Sequence, residues 1–204
     1  MFRSPSLFED MVKTITGCNV TWRNTIRMNQ LLVDRVGKGA FPSPELLAPL
    51  TPSKLKARCK VGYRAARIVR LARAFCDGEI DPVWYESTDR TTEELREALL
   101  RLEGFGPYAA ANMLQLLGHY DHVPIDTETY RHFCHVTGVT RPKNDKELDP
   151  LILARYERYA PFQFIAYWFE LWRDYERRYG DAWTWEAETT GSNFTAAVLK
   201  QASV

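Results

Sequence analysis

Two glycines separated by one residue and followed at once by a proline, Gly104-Phe105-Gly106-Pro107, constrain this chain more than any other stretch. Leu95, Leu99, Leu100 and Leu102 before them fall on one face of a helix. Glycine reaches backbone angles other residues avoid, so the helix stops there. Pro107 stands where the first turn of a new helix tolerates proline. Ala109, Ala110, Ala111, Met113, Leu114, Leu116 and Leu117 carry that second helix. The segment therefore reads as helix, tight hairpin, helix. A hairpin of this kind presents backbone amides at a helix N-terminus, which suits a phosphate. Shortly afterwards Asp126 stands at the start of another helix, in Pro124-Ile125-Asp126-Thr127-Glu128-Thr129.

The remaining chain reads as helices and turns, with no repeat and no strand-rich region. Ser6 caps a first helix with Glu9 at capping-box spacing, and Leu7, Phe8, Met11, Val12 and Ile15 form its apolar stripe. Thr16 to Asn19 interrupts it. Trp22 to Val36 is a second helix, with Ile26, Leu31, Leu32 and Val33 expected inward. Short helices follow Pro44 and Thr51. Lys54 to Arg73 holds eight basic residues and no acidic one. Arg64, Arg67, Arg70 and Arg73 drift around one helix while Ile68, Leu71 and Phe75 face inward. Such a face is either merely solvated or touches a polyanion. Thr91 or Thr92 caps the helix that leads into the hairpin, with Glu93 and Glu94 in its first turn. After Asp126, Tyr130, Phe133 and Val136 form a helix face ending near Gly138. Arg141 to Asp149 is a polar linker, Leu148 to Tyr159 is helical, and Phe164 to Tyr179 is an aromatic-rich helix.

With 204 residues and 45% hydrophobic content the chain can build one substantial domain or two lobes. Its net charge is only +1, so any basic surface must be local. Cys18, Cys59, Cys76 and Cys134 are scattered with no Cys-x-x-Cys, which indicates neither zinc nor an iron–sulfur cluster. The start is no signal peptide and no apolar run spans a membrane, so an intracellular place with reduced thiols is expected.

Leu102-Glu103-Gly104-Phe105-Gly106-Pro107-Tyr108-Ala109-Ala110 and Val123-Pro124-Ile125-Asp126-Thr127 together resemble the helix-hairpin-helix DNA glycosylases. The first stretch matches that superfamily's hairpin, and the second its Gly/Pro-rich loop ending in an aspartate. The resemblance is strongest to the cluster-free 8-oxoguanine and alkyl-base branches. It runs from about residue 4 to about 180, leaving 181–204 as a C-terminal tail. The implied fold is all-α, two helical lobes flanking a groove. Those branches carry a further N-terminal β domain before their first matching helix, which is expected to be absent here. Val61-Gly62-Tyr63-Arg64-Ala65 resembles their Gly-Tyr-Arg-Ala stretch. The aromatic helix resembles their segment bordering the base pocket, although burial alone also explains an aromatic stripe.

The resemblance implies a protein that hydrolyses the N-glycosidic bond of a damaged or mispaired base in double-stranded DNA, in base-excision repair. Asp126 would be catalytic, stabilising the oxocarbenium-like sugar and orienting water. An ordinary N-cap is the alternative role for it. Gly104, Phe105, Gly106, Tyr108 and Asn19 would contact DNA. Asn19 is either the plug that fills the gap left by an extruded base or a plain turn residue. Tyr108, Asn112, Tyr167 and Leu171 are base-pocket candidates. The carbonyls of Leu100, Leu102 and Phe105 would hold a K+ or Na+ shared with a phosphate, with no other cofactor required. Bifunctional members have a lysine where this chain has Tyr108, and a phenol forms no imine. Hydrolysis by water without strand cleavage is therefore expected, by a monomer with no membrane partner. A non-catalytic helix-hairpin-helix DNA-binding module, or an interaction protein on a decayed glycosylase fold, is the alternative.

Overall fold

A computed structural model describes residues 3–186. Eleven α-helices and two short 3₁₀ turns account for its regular structure, and no strand occurs among the described residues. The chain divides into two compact units, the first ending at Gly118 and the second beginning at His119.

The first unit holds α1 (Leu7–Gly17), α2 (Trp22–Arg35), α3 (Pro44–Leu47), α4 (Pro52–Cys59), α5 (Arg64–Cys76), α6 (Pro82–Glu86), α7 (Thr92–Leu100) and α8 (Pro107–Leu116). Its core is built on α1, which packs against α2, α5 and α8. Leu7, Phe8, Met11, Val12 and Ile15 are all buried there, as their spacing predicts. The Ser6 hydroxyl accepts from the Glu9 amide at 3.2 Å, so the predicted cap forms. Thr91 and Glu94 complete a reciprocal capping box at the start of α7. Leu95 and Leu99 from α7 and Ala109, Ala110, Met113 and Leu114 from α8 close the core under the hairpin.

Two expectations for this unit change. In α2 the buried side chains are Thr25, Met28 and Leu32, while Ile26 is half exposed. A four-residue step from Met28 to Leu32 fixes the inward face, and Ile26 lies off it. Arg64 opens α5 but is buried, not solvated. The chain enters α5 through Lys60 and Gly62, both at positive φ, and this turn rolls Arg64 inward.

The second unit holds α9 (Thr127–Thr137), a 3₁₀ turn (Asp145–Leu148), α10 (Asp149–Glu157) and α11 (Gln163–Tyr179). Gly138, at φ 72°, ends α9 as predicted. The core gathers Phe133, Leu148, Ile152, Tyr156, Phe164, Tyr167, Leu171 and Tyr175. The expected apolar face of α9 is only partly what the structure buries. Thr129, His132 and Phe133 are buried, while Tyr130 and Val136 lie at its margin. Polar groups can go inward here because α11 answers them with Tyr167, Glu170 and Asp174. The expected tail at 181–204 begins with a 3₁₀ turn (Ala182–Thr184), and from residue 187 it lies outside the described residues. No described helix is long and apolar enough to cross a membrane.

Candidate active site and nucleic-acid interface

The hairpin between α7 and α8 forms as its glycines predict. The Leu102 amide donates to the Leu99 carbonyl at 3.0 Å, and the Phe105 amide to the Leu102 carbonyl at 3.1 Å. Gly104 adopts φ 99°, in the region open to glycine. Gly106 is the N-cap of α8 and Pro107 its first residue, both exposed, with no side-chain cap on that helix. The Phe105 side chain is buried in the core, so only its backbone belongs to the hairpin surface.

The two glycines have different reasons to be glycine. A Cβ at Gly104 would lie 2.7 Å from Cδ of Arg67, whereas one at Gly106 would meet nothing within 4 Å. Arg67 thus lies along the hairpin, its guanidinium 5.1 Å over the Tyr63 ring. Arg70 forms an ion pair with Glu103 of the hairpin. The basic helix α5 therefore backs the hairpin and is not simply a solvated face. Arg64 also lies over the Tyr63 ring, 4.6 Å from its centre, and donates to the carbonyls of Cys18 and Asn19. That holds the α1–α2 turn, in which Asn19 is exposed at φ 50°. Asparagine tolerates this left-handed conformation better than most residues.

Tyr108 and Asn112 stand one turn apart on α8. The Asn112 amide donates to the Tyr108 carbonyl at 2.9 Å and its oxygen accepts from Gln115 Nε2 at 2.9 Å. Its polar atoms are thus bonded along its own helix. Tyr167 and Leu171, the other base-pocket candidates, are buried in the core of the second unit.

Asp126 is the N-cap of α9. Its Oδ1 accepts from the amides of Glu128 and Thr129, both at 2.9 Å, and from the Thr129 hydroxyl at 3.1 Å. No hydrogen bond reaches Oδ2 among the described residues. The N-cap role and an open carboxylate oxygen therefore coexist in one side chain. A helix N-terminus is expected to hold this carboxyl low, yet its pKa is raised. Burial penalises the charged form more than the Thr129 and Glu128 hydrogen bonds favour it, and the Glu128 charge adds to the rise.

Behind Asp126 runs a network that neither periodicity nor motif reading marks. Glu128 is paired with Arg131 at 2.6 Å and accepts from the Tyr175 hydroxyl at 2.7 Å. Arg131 also reaches Asp174 at 3.2 Å. Burial would push Asp174 up, but Arg178 and Arg131 hold it below the usual carboxylate value. His132, fully buried, lies 3.0 Å from Glu170, and burial keeps its pKa low. Thr129 was within reach of sequence reasoning, since Asp126-x-x-Thr129 has capping-box spacing. Asp174 and Tyr167 lie on another helix, and no local pattern pairs them with α9.

No protein-family model matches the sequence, and no curated protein matches it either. Solved structures do. The 8-oxoguanine glycosylase/lyase of Clostridium acetobutylicum, in complex with double-stranded DNA, superposes with a TM-score of 0.71 at 18% identity over 86% of this chain. The 3-methyladenine DNA glycosylase of Schizosaccharomyces pombe, in complex with abasic DNA, gives 0.72 at 18% identity, covering 89% of this chain and 85% of its own. The 3-methyladenine DNA glycosylase of Archaeoglobus fulgidus gives 0.65 at 20% identity over 88% of this chain. This chain spans 61% of the length of the Clostridium and Archaeoglobus proteins. The fold of this chain is that of the helix-hairpin-helix DNA glycosylases.

Proposed function

We propose that this chain is a DNA glycosylase that hydrolyses the N-glycosidic bond of a damaged or mispaired base, without cutting the strand. The observation that carries the reading is Asp126: one oxygen pinned by three donors, the other without a hydrogen bond among the described residues, at the start of the helix that follows the hairpin. A base must leave the stack to be cut from its sugar. As the C1′–N bond breaks, positive charge grows on the sugar, and a fixed carboxylate oxygen stabilises it. Water then forms the new bond to C1′, its proton passing to Asp126 and its electron pair replacing the one that left with the base. A raised pKa makes Asp126 a better base for that step than an ordinary carboxylate, as long as it is ionised.

The hairpin supplies the grip in this reading. The N-terminus of α8 receives a phosphate, and exposed Gly106 lets it come close. Leu102 uses one carbonyl lone pair on Phe105 and keeps another, which fits a K+ or Na+ shared by the Leu100, Leu102 and Phe105 carbonyls with that phosphate. Asn19 belongs to the same DNA-facing proposal, and Tyr108 and Asn112 to a base pocket. Tyr108 offers no primary amine, so no imine with the sugar forms.

The test is a panel of duplexes bearing alkylated purines, 8-oxoguanine, deaminated bases or adenine opposite 8-oxoguanine. The expected result is base release from at least one duplex. Its strand should break only after alkali or heat, with no borohydride-trapped adduct. Duplex binding without release from any lesion would make this a helix-hairpin-helix binding module. Efficient borohydride trapping would overturn the hydrolytic mechanism.

A further inference from the structure

We propose that Tyr167 is a positioning residue for Asp126, acting through the Thr129 hydroxyl. The inference rests on the catalytic reading of Asp126. Thr129 is 1% exposed and Tyr167 4% exposed, so water does not serve either hydroxyl. Thr129 Oγ1 lies within hydrogen-bond distance of four groups: the Asp126 amide at 3.2 Å, Asp126 Oδ1 at 3.1 Å, the Pro124 carbonyl at 3.2 Å and the Tyr167 hydroxyl at 3.0 Å.

A threonine hydroxyl has one proton and two lone pairs. The Asp126 amide can only donate, so it fills one lone pair. The carboxylate and the Pro124 carbonyl can only accept. Tyr167 decides the rest. If it donates, both lone pairs are filled and the Thr129 proton must point at Oδ1 or at Pro124, of which the charged carboxylate is the stronger acceptor. If it accepted, that single proton would turn away from Asp126. The Tyr167 proton would then have no acceptor among the described residues. The first arrangement leaves no donor without an acceptor, so the direction runs from Tyr167 to Thr129 to Asp126.

The consequence is local and chemical. With Tyr167 in place, Oδ1 is held by three donors and Oδ2 is left for the substrate. Without its hydroxyl, Thr129 regains a lone pair and can swing toward Pro124, and the carboxylate loses a donor. The Tyr167 ring itself is fixed edge-on to Tyr156, with ring centres 5.7 Å apart, and beside Phe164. Phenylalanine keeps that packing. Other groups near Asp126 do not report on this hydroxyl. Glu128 on α9, whose charge adds to the rise, is ion-paired with Arg131 whether or not Tyr167 keeps its hydroxyl, and the Tyr130 hydroxyl is bonded to Asp149. A base-reading role would need the Tyr167 hydroxyl turned outward, and here it is spent inward.

The test follows the Asp126 carboxyl carbon by NMR through a pH titration of the full chain, its signal identified by its loss in Asp126→Asn. Tyr167→Phe should raise the pH at which Asp126 titrates by about one, a tenfold rise in proton affinity. The acid limb of base release should move by the same amount, with substrate affinity unchanged. Thr129→Val should move it at least as far, and Thr129→Ser should restore it. An unmoved Asp126 titration in folded Tyr167→Phe overturns the proposal. A moved titration with base release surviving in Asp126→Asn would instead overturn the catalytic reading and leave the hydroxyl relay standing. The carboxyl titration decides the relay even if no lesion is excised.

Discussion

Asp126 carries two demands that pull in opposite directions. As an N-cap it satisfies amides of α9, and in the proposed reaction its carboxylate must stay charged where burial disfavours charge. The cost falls on stability. A carboxyl whose folded pKa lies above its unfolded value binds its proton more tightly when folded. Its contribution is fully present below the unfolded pKa and is lost as pH rises through the folded one. Asp126→Asn keeps the cap and removes the buried charge. It should therefore melt at a higher temperature than the parent at pH 7, and the difference should close as the pH falls below the unfolded carboxylate range. A lower melting temperature for the variant at pH 7 would mean that the charge is stabilising. The sequence shows Asp126 and its cap spacing plainly. The sign of its shift is not legible, because it depends on burial under side chains that no local pattern announces. Tyr108 is the converse case, since the absence of an amine there is a fact of the sequence alone.

At the scale of elements, the hairpin is the part most fully written in the residues. Its two glycines, its proline and the leucine stripe before it each do what their chemistry predicts. The structure then separates the glycines. Gly104→Ala strains a positive φ and drives a methyl into Arg67, so it should lower stability by about 1–3 kcal/mol. A Cβ at Gly106 meets no neighbour, so Gly106→Val should leave the fold intact, yet it should weaken duplex binding at least tenfold if a phosphate docks there. Melting curves and a binding titration at one salt concentration separate the two effects, since phosphate binding itself weakens with salt. Unchanged affinity in folded Gly106→Val would take the hairpin out of the DNA interface. Other elements were less legible. The α2 stripe reads Ile26 as inward when Thr25 and Met28 are, and α5 hides Arg64 against backbone carbonyls of a distant turn. In both, hydrophobicity misleads because the buried face is set by the partner surface. The charges of α11 that answer His132 and Arg131 are likewise legible only once the two helices are side by side.

For the whole molecule, composition predicts little beyond helices and a core. A net charge of +1 does not announce a nucleic-acid partner, and basic residues of α5 gather beside the hairpin. The order of motifs predicts more: hairpin first, aspartate next, aromatic helix last points to an all-helical fold, and the chain superposes on solved DNA glycosylase structures. The central claim is that this arrangement makes Asp126 the group that cuts the glycosidic bond. The most direct measurement is single-turnover base release by Asp126→Asn beside the parent, on the lesion the parent excises best, with duplex affinity measured for both. Near-equal affinity and a rate reduced on the order of 10²–10⁴-fold are expected. Release at the parental rate by a folded Asp126→Asn variant would contradict it.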